Sequence, residues 1–401
     1  MKHILFVDDE QMVLDGLKRS LRGMKHEWTM TFACGGEEAL RVLARLPIDV
    51  VVSDMRMPGM DGGQLLREVR QQYPHVVRII LSGQSDREMV FKSISSMHLF
   101  LSKPCDTAVL QSTIRRVCAL RDVLKNEGLR ALVGGMHSIP SIPRFYAEIR
   151  SLLESNTYTL KAVSEVISKD PGMTAKVLQL VNSPYFGLDS QAVTVEQAVN
   201  LLGSETIQSL TLTAHVFSAF PQEKAEAFHL ERLWAEGMET GLLARRIAKS
   251  ERRPAGEVEQ AFVAGLLHDA GVILFAANRS ETYGQVLEQA AAGTYTMGNV
   301  EEIEFGASHA EVGAYLLGLW GISDAIVEAV ARHHTPGASP GDNFTPLTAV
   351  HVADAILQER GKNVMNFPPS MLDMAYLTRL KLADRVPRWR ALAEGGDALA
   401  A

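Results

Sequence analysis

Four short apolar runs in the first quarter of the chain end on residues that carry chemistry. HILFV leads into Asp8-Asp9, DVVVS into Asp54, RIIL into Ser82, and HLFLS into Lys103-Pro104. Runs of this length and composition predict buried strands. Amphipathic stretches of helical period lie between them, so the first 120 residues predict a βαβ alternation repeated five times. That pattern implies a parallel sheet wrapped by helices. In such sheets the site lies at the carboxyl ends of the strands. The acids, the hydroxyl and the lysine all fall there, so strands distant in sequence deliver them to one crevice.

A helix is expected from Asp106, with Leu110, Ile114, Val117, Leu120 and Leu124 as its apolar stripe, continuing to about residue 130. Gly134-Gly135 ends it, and from residue 144 the strand signals vanish. Helical periods follow at 144–155, 159–169, 171–181, 194–201, 204–219, 226–249, 257–268, 282–292, 309–319 and 323–333. Asp170-Pro171 offers an N-cap with proline at the first helical position, and Thr194 to Gln197 has the form of a capping box. These signals divide the chain into a domain over 1–120, a coupling helix over 121–131 and an all-α domain over 132–401, with a helical tail from about 361. Trp234 and Trp320 sit on apolar stripes and are expected in the core.

Three carboxylates in one crevice repel one another unless a hard divalent cation joins them, and Mg²⁺ prefers carboxylate oxygens. Asp54 is then the candidate nucleophile, since a carboxylate can accept a phosphoryl group as an acyl phosphate. Lys103 would neutralise charge on the transferring group, and the Ser82 hydroxyl would donate to a phosphoryl oxygen. The pieces VDDE (7–10), SDMRMPGMDG (53–62), LSG (81–83) and LSKP (101–104) together resemble a response-regulator receiver domain. The resemblance implies a flavodoxin-like fold, its five-stranded parallel sheet in the order 2-1-3-4-5. It implies that Asp9 ligates Mg²⁺ directly with Asp8 as its partner, that Asp54 is the phosphoacceptor, and that the Arg56 backbone carbonyl is the remaining protein ligand. Phe100 falls where the family keeps an aromatic switch residue, expected to turn inward when Ser82 and Lys103 are drawn to the acyl phosphate. The implied partner is a sensor histidine kinase. Receiver faces commonly mediate dimerisation in this family, which keeps a homodimer open.

Composition sets the surroundings. The 401 residues carry a net charge of −7, so no overall electrostatic footprint for nucleic acid is present. Cys34, Cys105 and Cys118 are scattered and form no C-x-x-C pair, which suits a reducing compartment. Met1-Lys2-His3 leads straight into the first strand, and no apolar run is judged to approach a membrane span. A soluble, cytoplasmic protein without membrane attachment is expected.

Two parts of the helical half are distinctive. DPGMTAKVLQLVNSPYFG (170–187), with AVNLLG (198–203), carries the stripe Met173, Val177, Leu180 and Val181. It resembles the opening of the HDOD domain, a helical signalling module related to HD-type metal-dependent phosphohydrolases. The other part is His268-Asp269 in GLLHDAG, His309 in ASHAEVGAYLLGLW, His333-His334 in VARHHTPG, and Asp354 in HVADAI. Imidazole and carboxylate together suit Fe, Mn or Zn. A lone histidine in a helical core is usually a hydrogen-bonded core residue; two adjacent pairs plus His309 and Asp354 make metal binding an even contender.

The order of these segments resembles the catalytic HD-GYP phosphodiesterases, with three departures. Those relatives carry His-Ser in the preceding helix, where this chain has Glu236-Gly237; Glu236 could still ligate through oxygen. Val272 stands where they have lysine, and TPGASPG follows His333-His334 in place of a Gly-Tyr-Pro loop. The departures favour a non-catalytic output module that binds a partner protein, whose identity the sequence leaves open. The alternative is a phospho-regulated, metal-dependent phosphodiesterase acting on a nucleotide such as a cyclic dinucleotide. A DNA-binding output ranks below both, since Arg245-Arg246 and Arg252-Arg253 suit a solvated helix end.

Overall fold

The computed structural model describes residues 1–83, 89, 93, 96–124, 126–136, 139–141, 143–155, 158–182, 192, 194–208, 220–292, 295–360 and 371–394. Five strands, β1 (Lys2–Asp8), β2 (Trp28–Cys34), β3 (Val50–Asp54), β4 (Val77–Ser82) and β5 (Leu99–Ser102), pair in parallel in the order β2-β1-β3-β4-β5. Central strands of a parallel sheet are covered on both faces and read as continuous apolar runs. Accordingly Ile4 to Val7, Val50 to Val52 and Ile79 to Leu81 are all buried. The register sets Asp54 beside Leu81 and Ser82 beside Ser102. Asp8, Asp54, Ser82 and the residue before Lys103 therefore finish at one end of the sheet.

At the opposite end of β4, Arg78 is fully buried. Its guanidinium donates to the carbonyls of Ser96 (2.6 Å), Val76 (3.1 Å) and Gly134 (2.6 Å). Burial lowers its pKa to about 9, so the side chain stays charged at neutral pH with carbonyl oxygens in place of water. Gly134 ends the helix Glu127–Gly134, and a Cβ there would lie 2.2 Å from the Pro74 carbonyl oxygen. The segment that follows the sheet is thus tied back to the sheet's amino end.

The single helix expected from 106 to about 130 is two. Thr107–Val123 is N-capped by Asp106, and Glu127–Gly134 by Asn126, whose side chain accepts from the Leu129 N–H at 3.1 Å. A tertiary contact holds the break, because Asn126 Nδ2 also donates to the Phe305 carbonyl at 2.7 Å.

From Pro143 onward every described element is helical. Asp170 caps Pro171–Val181, and the Thr194–Gln197 capping box opens Val195–Gln208, as the spacing predicts. Gly203, with φ 76, interrupts that helix, which explains the two periods read there. Residues 209–219 of the second period, and 183–187 of the NSPYFG turn, lie outside the described residues. Helical period in the sequence does not mark Ala270–Asn278, Met297–Phe305 or Pro346–Glu359. The first and third are buried nearly all round, so they lack the apolar-polar contrast that periodicity detects.

Ala255–Asn278 also corrects an expectation. It is long and apolar enough to cross a membrane, and 83% of its most apolar window is buried inside the fold. Trp234 and Trp320 are buried as expected. Arg245 pairs with Glu259 and Arg253 with Glu257, so two arginines of the basic cluster have acidic partners within the fold.

Candidate functional site

At the carboxyl end of the sheet, Lys103 Nζ lies 2.6 Å from Asp54 Oδ1 and 3.1 Å from Asp8 Oδ2. The other oxygen of each carboxylate accepts from backbone: Glu10 N–H to Asp8 Oδ1 at 3.0 Å, and Arg56 N–H to Asp54 Oδ2 at 3.2 Å. Asp9 is half-buried and follows β1 directly at the same rim. Ser82 is buried at the end of β4, its carbonyl accepting from the Lys103 N–H at 2.7 Å. The structure thus brings Asp8, Asp54 and Lys103 into contact, with Asp9, Arg56 and Ser82 at the adjoining strand ends. Phe100 is already buried, at 3% exposure, where an outward ring awaiting a signal was expected.

Burial is the largest influence on Asp54 and raises its pKa; Lys103 offsets this in part, and the charge on Asp8 adds to it. Burial acts to lower Lys103, but Asp54 and Asp8 together hold it above its ordinary value. Asp8, Asp9 and Asp54 set three negative charges against one lysine. That deficit, presented by oxygen donors, fits a hard divalent cation.

The helical half assembles a second site from helix ends. His268 closes Ala255–Leu267, and Asp269 opens Ala270–Asn278. His309 is the first residue of His309–Leu319, behind a Ser308/Glu311 capping box. His333-His334 follow Asp324–Arg332, and Asp354 lies within Pro346–Glu359. The six converge. His268 Nε2 is 3.2 Å from Asp269 Oδ2 and 3.8 Å from Asp354 Oδ1. His309 Nε2 is 3.4 Å from Asp269 Oδ1 and 3.2 Å from His334 Nε2. Two triads, His268/Asp269/His333 and His309/His333/His334, each have ligand atoms within 4.8 Å of one another and share His333. Glu236 belongs to neither triad.

Hydrogen bonds fix which nitrogen faces inward. His268 Nδ1 donates to the Gly265 carbonyl (2.7 Å), His333 Nδ1 to the Val330 carbonyl (2.8 Å), and His309 Nδ1 to Glu301 Oε2 (2.6 Å). Each leaves Nε2 for the centre, the arrangement seen around metal-ligating histidines. His333 Nε2 and Asp354 Oδ2 are buried with no hydrogen-bond partner among the described residues. Leaving such atoms unsatisfied costs about 1–3 kcal/mol each, which fits a cluster built to hold an ion. The donor set of imidazole and carboxylate suits a transition metal. His351 shows the contrast: Nδ1 donates to the His333 carbonyl (2.7 Å) and Nε2 accepts from the Asp373 N–H (2.9 Å), so both nitrogens are spent on backbone.

Glu301 was not singled out by the sequence. It is fully buried and accepts from the Tyr283 hydroxyl (2.8 Å) and the His309 N–H (2.7 Å) as well as from His309 Nδ1. Its near neighbours Glu302 and Glu304 are of the same type, and only the adjacency of Val300 and Phe305 marks its face as inward.

Residues 4–115 match the response regulator receiver domain, and residues 139–336 match the HDOD domain. The chain is a response regulator with an N-terminal receiver domain and a C-terminal HDOD domain. Receiver domains are phosphorylated by sensor histidine kinases. Among curated proteins, this chain is 25% identical over 209 residues to an uncharacterized protein of Treponema pallidum, covering 52% of this chain and 40% of that one. It is 32% identical over 138 residues to the hydrogenase transcriptional regulatory protein HoxA of Cupriavidus necator, covering 34% of this chain and 26% of that one. The chain thus spans less than half the length of these relatives. Among solved structures, the MmoQ response regulator from Methylococcus capsulatus aligns with TM-score 0.49 and 23% identity, over 63% of this chain and 98% of that one.

Proposed function

We propose that this chain accepts a phosphoryl group at Asp54 from a sensor histidine kinase. Its HDOD half then holds a transition metal and signals by binding a partner protein. The contact of Lys103 with both Asp54 and Asp8 at the sheet's carboxyl end carries the first part of the reading. An Asp54 oxygen forms the new P–O bond while the P–N bond to the kinase imidazole breaks, the electron pair staying on that nitrogen. Lys103 neutralises charge gathering on the phosphoryl oxygens, and the Ser82 hydroxyl donates to one of them. Magnesium, held by Asp8, Asp9, Asp54 and the Arg56 carbonyl, would supply the rest of the neutralisation. Incubation with acetyl phosphate and Mg²⁺ should add one phosphoryl group to wild type by intact mass and none to Asp54→Asn. Equal labelling of the two would remove Asp54 from the role.

One observation favours the hydrolytic alternative. His268, His309 and His333 are buried, but the His334 side chain is 36% exposed and that of Asp269 23%, so a metal held there would face solvent on one side. Val272 weighs against it, being buried where HD-GYP relatives carry a lysine. Elemental analysis of the untagged full chain, followed by incubation of the metal-loaded protein with cyclic dinucleotides, separates the readings. Bound metal without turnover supports the binding module.

A further inference from the structure

His309 and His333-His334 sit at the open end of a helical hairpin formed by His309–Leu319 and Asp324–Arg332. The closed end of that hairpin, residues 318–324, rests on the receiver. Arg116, on the receiver's last helix, donates to the Ile322 carbonyl and pairs with Asp324 at 2.9 Å. One turn further along, Leu120 fills the space above Gly318, where a Cβ would lie 2.6 Å from a Leu120 methyl. Gly321 turns the chain with φ +74, and a Cβ there would lie 3.1 Å from Leu99, the β5 residue preceding Phe100. A second contact reaches the same histidine by another path. Asn126 donates to the Phe305 carbonyl at 2.7 Å, at the end of the Met297–Phe305 helix, and Glu301 on that helix holds His309 Nδ1 at 2.6 Å.

We infer that the receiver regulates metal occupancy of the His/Asp cluster through these two grips, with Arg116 and Asn126 as the coupling residues. The inference rests on the proposed metal-binding reading of that cluster. Strand β5 and the last receiver helix bear on the hairpin's closed end, while the linker bears on the helix that orients His309. A shift of either changes where His309 Nε2 stands relative to Asp269 and His334. His309 has its first-turn position and its Nδ1 bond set by those elements, so a small displacement at the closed end is felt at a ligand atom. No contact between receiver and metal is needed.

Coupling of this kind is reciprocal: if a phosphoryl group on Asp54 changes metal affinity, metal changes affinity for the phosphoryl mimic by the same factor. The test uses the full chain with saturating Mg²⁺, zinc as the probe, and beryllofluoride as the mimic. Zinc affinity is measured by chelator competition with and without beryllofluoride, and beryllofluoride affinity with and without zinc. Wild type should show the same factor both ways, roughly fivefold or more. The Arg116→Ala/Asn126→Ala double variant should still bind both probes, with the factor reduced to near one. Zinc binding unchanged by beryllofluoride in wild type overturns the inference and leaves the metal site standing. Full coupling in the double variant overturns the assigned route. Failure of every form to bind zinc removes the metal-site reading and this inference with it.

Discussion

At the ends of β1 and β3, Asp8 and Asp54 share one lysine within 3.1 Å, and backbone N–H groups satisfy their remaining oxygens. Among the helix ends of the HDOD half, the histidines spend their Nδ1 atoms on carbonyl and carboxylate oxygens and turn Nε2 toward one another. There a buried histidine nitrogen and a buried carboxylate oxygen lack hydrogen bonds among the described residues. In the first site the oxygens of Asp8 and Asp54 have hydrogen-bond partners without an ion, although one lysine faces three carboxylates. The second turns ring nitrogens toward one another and keeps two polar atoms without a hydrogen bond among the described residues. A cation should therefore alter the stability of the second much more than that of the first.

The largest expected effect follows directly. A ligand that binds only the folded state at a free concentration a thousandfold above its Kd stabilises by about 4 kcal/mol. Zinc should raise the thermal midpoint of the HDOD transition in this way, while Mg²⁺ moves the receiver transition less. His333→Ala removes the residue shared by both triads and should abolish the zinc shift. Equal shifts in the two transitions would break the comparison.

A smaller effect, of about 1–3 kcal/mol, is expected from overpacking the cluster's scaffold. Gly271 in GLLHDAG packs so closely that a Cβ would lie 1.9 Å from the His309 carbonyl oxygen, and a Cβ on Gly313 would lie 3.0 Å from the Gly271 nitrogen. Gly271→Ala should lower the urea midpoint and weaken zinc binding together. Wild-type stability would show that the two helices can separate without cost.

These glycines illustrate how much of the molecule its sequence discloses. Their motifs are plain in the sequence, but the reason for them is a contact between backbones about forty residues apart. The receiver site is almost wholly legible, because each of its residues ends an apolar run and strand period fixes both face and end. In the HDOD half the residue types are legible and the geometry is not. Which ring nitrogen faces inward depends on carbonyls such as those of Gly265 and Val330, which every sequence contains. Glu301 is hidden among like acids, and Glu236 is prominent in sequence yet outside both triads. Arg78 reads as the polar start of a strand, and nothing local foretells its bond to Gly134, 56 residues on.

The smallest expected effect probes how far Lys103 alone balances the receiver carboxylates. Burial raises the Asp54 pKa above its ordinary 3.8 even with Lys103 in contact, so that attraction is already contained in the rise. The folded state then binds the Asp54 proton more tightly than the unfolded state. Asp54 therefore favours folding below about pH 3.8, and this contribution is lost as pH rises through the folded pKa, leaving a penalty at neutral pH. In chelator, Asp54→Asn should be more stable than wild type at pH 7, with the difference vanishing as pH falls below that range. Mg²⁺ should narrow it at pH 7, since the cation supplies the charge that Lys103 alone does not. An Asp54→Asn variant less stable than wild type in chelator would mean that Lys103 closes the balance unaided. The contrast between the two sites would then be sharper, and Mg²⁺ would matter to the receiver for phosphoryl transfer and not for holding its carboxylates together.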